Sequence, residues 1–120
     1  MQPYPKRGNV RELIEYEIRL LGANGANPTK ELGDGVTVTR TGEGAYRVTF
    51  AEDPFEWVGY SHGFQAATPA DLAGYTVVCD TYTVHSKVLD FVVYNSSFAA
   101  ADIIAAQYIS LTLKFARTGL

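Results

Sequence analysis

Apolar and polar residues alternate along much of the chain. In residues 14–20, isoleucine, tyrosine and leucine at every second position are separated by glutamate and arginine. Strict alternation is the pattern of a β-strand with one buried face. A helix is the competing interpretation, because Leu13, Tyr16 and Leu20 also lie at helical spacing, but that stripe includes the charged Glu17. We therefore expect a strand here.

Two further alternating runs form the clearest hairpin of the sequence. Residues 36–40 (VTVTR) and 46–50 (YRVTF) flank the turn sequence TGEG. Gly42 and Gly44 can take the positive φ angles that a tight connection requires, so the sequence predicts an antiparallel strand pair.

The same alternation predicts strands at residues 57–65, 75–82, 87–94 and 109–115. Residues 87–94 are apolar on both faces, which is typical of a central strand or of one whose second face meets another chain. In residues 57–65, Gly59 and Gly63 suggest a β-bulge or a close backbone approach.

Three segments depart from the alternation. The Gly- and Asn-rich residues 22–35 predict a long loop. Residues 68–72 (TPADL) predict one helical turn with Thr68 as its N-cap. The alanine-rich residues 98–107 predict a short crossover helix or a turn.

These elements predict an all-β fold. About seven strands with Gly-rich connections are typical of an antiparallel β-sandwich, of jelly-roll or C1q-like type, with one short helix. Residues 1–11, which contain Pro3 and Pro5, predict a stiff, extended N-terminal arm. Residues 12–120 are then a single domain, since 120 residues correspond to one domain.

Composition and charge exclude several classes of protein. The 47% of apolar residues and 19% of charged residues indicate a folded, globular chain. Ten Lys and Arg against thirteen Asp and Glu leave no basic excess, so we expect no nucleic-acid partner. No apolar run reaches the roughly 18 residues of a membrane helix. The N-terminus lacks the apolar segment of a secretory signal, and we expect no membrane association.

Few residues are suited to catalysis or metal binding. The chain has one cysteine, Cys79, and two histidines, His62 and His85, without the ligand spacing of a zinc site. Residues 59–63 (GYSHG) match a nucleophile-elbow pattern, but their flanks are strand-like, and neighbours such as Ser61 and His62 point to opposite faces of a strand. We expect no enzymatic activity, no catalytic residue, no metal and no cofactor. We expect Cys79 to be a small, buried apolar residue.

Three acidic residues, Glu52, Asp53 and Glu56, surround Pro54. Acids in a turn are mostly solvated or accept hydrogen bonds from backbone amides, which is the interpretation we favour. A glycosidase-like carboxylate pair and a weak calcium site are the alternatives.

Aromatic residues are plentiful, with eight tyrosines, six phenylalanines and one tryptophan. Phe55, Trp57 and Tyr60 form a candidate exposed patch that can stack on sugar rings, although core packing is the favoured alternative. Several strands are apolar on both faces. Together they carry more apolar surface than the interior of one small sandwich can bury. The sequence therefore predicts a protein–protein interface and a homo-oligomer.

Two segments resemble a known family. Residues 33–50 (GDGVTVTRTGEGAYRVTF) are similar to the V-x-x-T-R-T-G-x-G-x-Y-x-V-T-F hairpin of small β-sandwich virion proteins of tailed bacteriophages. The closing segment, a small-residue helix at residues 98–107 followed by YISLTLKF, is similar to the end of the same proteins. Comparable hairpins occur in C1q-like fibre heads.

The resemblance implies a head decoration, or cement, protein on the capsid surface of the virion. Its partner would be the major capsid protein, and the family contributes no catalytic residue. The N-terminal arm has no counterpart in the family. We expect the arm to contact acidic capsid residues through Tyr4, Lys6, Arg7 and Arg11, with a solvated arm as the alternative. Alternative functions are a tail or fibre host-binding module and a small carbohydrate- or lipid-binding sandwich.

Overall fold

The computed structural model describes residues 12–117, and eight β-strands lie in this part of the chain. The strands are β1 (Glu12–Leu21), β2 (Thr29–Leu32), β3 (Val36–Gly42), β4 (Ala45–Phe50), β5 (Glu56–Ala66), β6 (Thr76–Cys79), β7 (Val88–Tyr94) and β8 (Gln107–Arg117). The predicted arm, with Tyr4, Lys6, Arg7 and Arg11, lies outside the described residues.

The strands form two antiparallel sheets of four strands each. The first sheet has the order β2-β1-β8-β5, and the second sheet has the order β3-β4-β7-β6. The chain passes from one sheet to the other at four connections, which are β2–β3, β4–β5, β5–β6 and β7–β8. Each sheet therefore includes strands that are distant in sequence. The predicted antiparallel β-sandwich is confirmed.

The core follows directly from the alternation in the sequence. The inward residues of β7, Leu89, Phe91 and Val93, are at most 1% exposed. Between the sheets the rings of Phe50 and Phe115 meet edge to face with centroids 5.2 Å apart. Burial of these side chains is the main force that holds the sheets together.

Several strand predictions are confirmed in detail. Residues 14–20 lie in β1 and are not helical. The predicted hairpin is β3–β4, with Gly44 at a φ of 69° in its turn. Strand β7 is central in the second sheet, between β4 and β6. In β5 the pairing with β8 shifts between Trp57 and Gly59, which places the predicted bulge there.

The predicted long loop at residues 22–35 is wrong in part, because it contains β2. The four residues of β2 are all exposed, so no alternation of buried and exposed residues marks them. Their strand conformation comes from pairing with β1, where Leu21 lies opposite Thr29. Local sequence does not report such a pairing.

The segment at residues 98–107 has turns and an isolated bridge between Tyr94 and Ala100, and no helix. The small-residue helix in the resemblance is therefore wrong, and the turn alternative holds. The amide of Ala101 donates to Val93, and the side chain of Asp102 bonds to the β3–β4 turn. These tertiary hydrogen bonds outweigh the helical propensity of alanine.

Two smaller predictions need adjustment. The turn at residues 68–72 is a 3-10 helix at Pro69–Leu72, but the Thr68 side chain makes no capping hydrogen bond. The strand predicted at residues 75–82 ends at Cys79. Beyond it, the amide of Asp80 still donates to Asp90, and the chain then leaves the sheet.

The loops gather at two opposite ends of the sandwich. At the Asp102 end, residues 95–106 pack against the β1–β2 loop and the β3–β4 turn, with the amide of Ala105 bonded to the Asn24 side chain. At the His85 end, the β4–β5 loop (residues 51–55) meets the β6–β7 loop (residues 80–87).

Candidate protein-binding surface

The charged groups at the Asp102 end form a closed structural cluster. The Asp102 carboxylate accepts hydrogen bonds from Arg40 Nε (3.0 Å) and Nη2 (2.9 Å), from the amide of Gly44 (2.9 Å) and from the Tyr46 hydroxyl (3.3 Å). The Arg40 guanidinium holds the pKa of Asp102 below its usual range. Because the carboxylate is engaged on both oxygens, we assign the cluster to holding residues 95–106 on the hairpin.

The turn acid Asp53 has the role that the sequence favoured. One oxygen accepts the amide of Phe55 (2.8 Å), and the other bonds to Nδ1 of His85. Partial desolvation opposes ionisation, but the His85 and Phe55 hydrogen bonds keep the pKa of Asp53 below its usual range. Phe55 and His85 both have positive φ angles, 71° and 70°, so this contact holds two loops in uncommon conformations.

The two histidines lie apart, His62 in β5 and His85 at the His85 end. In the register with β8, Ser61 lies opposite Thr112 and His62 opposite Leu111, so the two side chains are on different faces. The ring of His62 stacks on Tyr60, 6.1 Å between centroids. Within residues 12–117, no three His, Cys, Asp or Glu side chains converge as metal ligands would.

Cys79 ends β6 and is half-buried. Burial raises the pKa of its thiol to about 12, so little thiolate forms at neutral pH. This placement agrees with an apolar role in the sheet.

The three aromatic residues of the candidate patch divide into two groups. The Trp57 ring packs against Phe115 at 5.3 Å, and Tyr60 donates its hydroxyl hydrogen to the carbonyl of Val77 at 2.7 Å. Phe55 instead contacts His85, with centroids 5.7 Å apart. All three are partly exposed, but the rings of Trp57 and Tyr60 extend the core.

The outer face of the second sheet carries a row of adjacent apolar side chains. Val78 of β6 lies opposite Val92 of β7, which lies opposite Ala45 of β4. Val88, Asp90 and Tyr94 occupy the other outward positions of β7. We call this surface, with its neighbouring threonines, the apolar face. Its residues are Thr37, Thr39, Ala45, Arg47, Thr49, Thr76, Val78, Val88, Asp90, Val92 and Tyr94.

The charges of the apolar face neutralise each other. Arg47 donates two hydrogen bonds to Asp90, at 2.8 and 3.1 Å, in a bidentate pair. Beside the pair, an open depression of about 300 Å³ is lined by Val78, Cys79, Asp80, Asp90, Val92 and Tyr94. Apart from Asp80 and the paired Asp90, the depression is lined by Val78, Cys79, Val92 and Tyr94, a mixture that suits a protein partner better than a small charged ligand.

The loop after β7 adds an exposed aromatic ring. Phe98 is 86% exposed and has a φ of 62°. The Asn95 side chain accepts the amides of Ser97 (2.8 Å) and Ala99 (3.1 Å), so the turn that presents Phe98 is tightly braced. A braced, exposed aromatic ring is typical of an interface anchor.

The outer face of the first sheet is mostly polar, although Leu13 and Leu32 are also exposed on it, and we call it the polar face. Glu15 lies opposite Lys114, Glu17 opposite Thr112 and Arg19 opposite Ser110. Arg19 also lies over the ring of Tyr108, 4.3 Å from its centroid. These side chains mix both signs of charge, as a solvated surface does.

Sequence reasoning missed Asp102 and the Asp53–His85 pair. One signal for the first was available: Arg40 follows Val36 and Val38 at inward positions, and an inward arginine needs a carboxylate partner. Nothing in the sequence joins Asp53 to His85, because the contact depends on two loops of uncommon backbone conformation.

Comparisons with known proteins add no relatives. No protein-family model, curated protein or solved structure matches the chain. Among residues 12–117, no helix has the length and apolar character to cross a membrane.

Proposed function

We propose that the chain is a non-enzymatic structural protein of a tailed-bacteriophage virion. It binds the major capsid protein on the head surface as a decoration, or cement, protein. The observation that carries the proposal is the apolar face, a sheet surface whose only ion pair, Arg47–Asp90, is internally neutralised. Apolar side chains at adjacent outward positions, with Val78 exposed and Val88, Val92 and Tyr94 partly exposed, support an interaction site on this face.

The resemblance and the apolar face concern the same strands. Residues 33–50, which carry the similarity to phage virion proteins, form β3 and β4. These strands contribute Thr37, Thr39 and Thr49 to the apolar face. The proposal therefore has two supports in one part of the fold: a sequence pattern and a surface that suits a protein partner.

The chain would stabilise the head only through its interface with the capsid protein. A stable interface buries roughly 800 Å² on each partner. Val78, Val92 and Tyr94 supply apolar area, and the Arg47–Asp90 pair enters the interface with its charges already matched. Binding only to the assembled shell raises the free energy needed to disrupt it by mass action.

Purified chain added to undecorated heads tests the proposal. We expect binding that saturates at a fixed copy number per head and a higher melting temperature of the shell. Bovine serum albumin at the same concentration is the control for nonspecific adsorption. Absence of binding at micromolar concentration would contradict the proposal.

The N-terminal segment enters the proposal as a second contact. Residues 1–11 carry Lys6, Arg7 and Arg11, with Tyr4 between two prolines, and would bind acidic capsid residues. Deletion of residues 1–11 should weaken head binding and reduce its sensitivity to salt, because ion pairs at a surface are screened. Unchanged affinity would remove the arm from the proposal.

A host-binding module of the tail or fibre, or a small carbohydrate-binding sandwich, is the second candidate. Trp57 and Tyr60 are neighbours with ring centroids 6.0 Å apart, and both are partly exposed. Glycan binding that is lost on Trp57→Ala would favour this candidate. We rank it second, because both rings already pack on the core and leave less area for a sugar.

A further inference from the structure

Three of the four sheet edges are blunted. On the edge of β3, Lys30 Nζ donates to the carbonyl of Val36 (2.6 Å), and the amide of Arg40 donates to the Asn27 side chain (2.9 Å). On the edge of β6, the Tyr60 hydroxyl donates to the carbonyl of Val77 (2.7 Å). Strand β2 is four residues long and carries Lys30 and Glu31. Capping, short length and charge are the usual protections of sheet edges.

Strand β5 has a charge at Glu56 and a bulge between Trp57 and Gly59, and none of these protections along the rest of its length. It is 11 residues long, and residues 57–65 carry no Asp, Glu, Lys or Arg. Within residues 12–117, no side chain bonds to the backbone of residues 57–66. From Gly59 to Gln65, β5 is therefore the one of the four edges in the described chain that is uncharged and open to another strand.

The register shows which backbone groups face outward from β5. The amide of Gly22 donates to the carbonyl of Gln107, so the odd-numbered residues of β8 bond to β1 and its even-numbered residues bond to β5. The partners of those even-numbered residues are Gly59, Ser61, Gly63 and Gln65. The outward N–H and C=O groups consequently belong to Tyr60, His62 and Phe64.

The side chains of the same three residues form a row of rings. The ring of His62 lies between those of Tyr60 and Phe64, with centroids 6.1 Å and 5.5 Å away. His62 is exposed, and the other two rings are partly exposed. A strand added at this edge gains backbone hydrogen bonds and contact with the rings together.

We propose that the edge of β5 pairs with β5 of a second copy of the chain, antiparallel, to form one continuous eight-stranded sheet. Centred on His62, this pairing sets His62 against His62 of the second copy and Tyr60 against Phe64 of the second copy. Each outward amide then meets an outward carbonyl. The strand is self-complementary, as a two-fold interface requires.

Charge argues for a second copy as the occupant. The chain has a net charge of −3, so a contact between two copies is favoured where it brings no acidic side chains together. Residues 57–65 contain no Asp, Glu, Lys or Arg, so their antiparallel pairing sets none of these charged side chains against its own kind. Gly59 and Gly63 lie in open space, so no side chain obstructs the approach on the polar face.

The first experiment measures the mass of the purified chain against its concentration by analytical ultracentrifugation. We expect a monomer–dimer equilibrium that His62→Pro weakens about tenfold or more, because proline removes an outward amide hydrogen. The bond between β5 and β8 is spared, since the His62 amide faces away from β8. His62→Gln keeps the amide and should still dimerise. Thermal unfolding confirms that each variant is folded.

The second experiment tests the position of the contact by disulfide cross-linking. In Ser61→Cys/Gly63→Cys, cysteines of two copies meet at Cα distances of roughly 4.5–5.5 Å, which a disulfide spans. Ser110→Cys/Thr112→Cys is the matched control, because these residues lie opposite Gly63 and Ser61 on β8, one strand inward. We expect oxidised dimers from the first variant and few from the second.

Three results would overturn the dimer. They are a monomer at all concentrations, equal cross-linking by both cysteine variants, and a monomer whose Tyr60, His62 and Phe64 amides resist hydrogen exchange. The last would show that another segment of the same chain covers the edge. These tests use the purified chain without heads. A chain that binds heads as a monomer would refute the dimer alone, and a dimer that binds no head would refute the decoration role alone.

Discussion

The two outer faces of the sandwich come from the same alternating pattern and differ in character. The polar face sets Glu15 against Lys114 and carries charges of both signs. On the apolar face, Val78 and Val92 lie side by side, and Arg47–Asp90 is the one ion pair among its residues. Burial of the inward side chains determines the fold of both sheets. The polarity of the outward side chains indicates whether each sheet faces solvent or a protein partner.

Strand β7 shows this division within seven residues. Its inward residues Leu89, Phe91 and Val93 are at most 1% exposed and hold the sheets together. Its outward residues are only partly covered by their own sheet. The account therefore separates stability, which depends on inward residues, from binding, which depends on outward residues of the second sheet.

Neighbouring substitutions on β7 test that separation, with the largest expected effect. Phe91→Ala removes a fully buried ring and should lower the free energy of unfolding by about 3–5 kcal/mol. Val92→Ala, one residue further on the opposite face, should cost about 1 kcal/mol or less. Urea unfolding of both variants measures the two values. Equal losses would show that the outward side of β7 is as structural as its inward side.

Acidification should have an intermediate effect on stability. The effect comes from Asp90 and Asp102, which pair with arginines of the second sheet. Arg47 lowers the pKa of Asp90, and Arg40 lowers the pKa of Asp102. Both carboxyls bind protons less readily in the folded chain than in the unfolded chain. Their contribution to stability is therefore present above the ordinary aspartate pKa of about 4 and is lost as the pH falls through the folded values.

We expect the melting temperature to fall as the pH is lowered from about 5 to 2. Asp90→Asn/Asp102→Asn should have a lower melting temperature at neutral pH and a shallower fall on acidification. The matched control is Glu15→Gln/Glu17→Gln on the polar face, which should keep the wild-type slope. A wild-type slope in the aspartate variant would contradict the role of these two pairs.

The sequence predicted the features that the polarity of neighbouring residues marks. It missed the features that depend on contacts between distant segments. Alternation identified the β3–β4 hairpin, because its inward and outward residues differ in polarity, and apolar residues on both faces indicated the central place of β7. It missed β2, whose residues are all exposed and whose conformation depends on pairing with β1. Alanine content suggested a short helix or a turn at residues 98–107, and tertiary hydrogen bonds around Asp102 impose turns there.

The candidate surface was predictable only in outline. The outward apolar residues of β7 are visible in the sequence, but their alignment with Val78 and Ala45 depends on the order of strands in the sheet. The Asp53–His85 contact was not predictable, since it joins two loops. The open edge of β5 needs both the sheet order and the register, neither of which local sequence reports.

A single ion pair on the polar face should have the smallest effect. Lys114 Nζ lies 3.9 Å from Glu15, and both side chains are about half exposed. Lys114→Gln should change the free energy of unfolding by about 0.5 kcal/mol or less, because exposed pairs are screened by solvent and salt. Urea unfolding at low and high salt measures it. A loss of several kcal/mol would show that the polar face is more than a solvated surface.

The central claim is that the apolar face binds the capsid, and matched double-lysine variants test it most directly. Val78→Lys/Val92→Lys places two charges on the apolar face, and Ser110→Lys/Thr112→Lys places two on the polar face. Equilibrium binding of each folded variant to undecorated heads is the measurement. We expect the apolar-face variant to lose at least about a hundredfold in affinity, since buried unpaired charge is costly, and the polar-face variant to stay near wild type. Equal affinities, or a loss confined to the polar-face variant, would contradict the account.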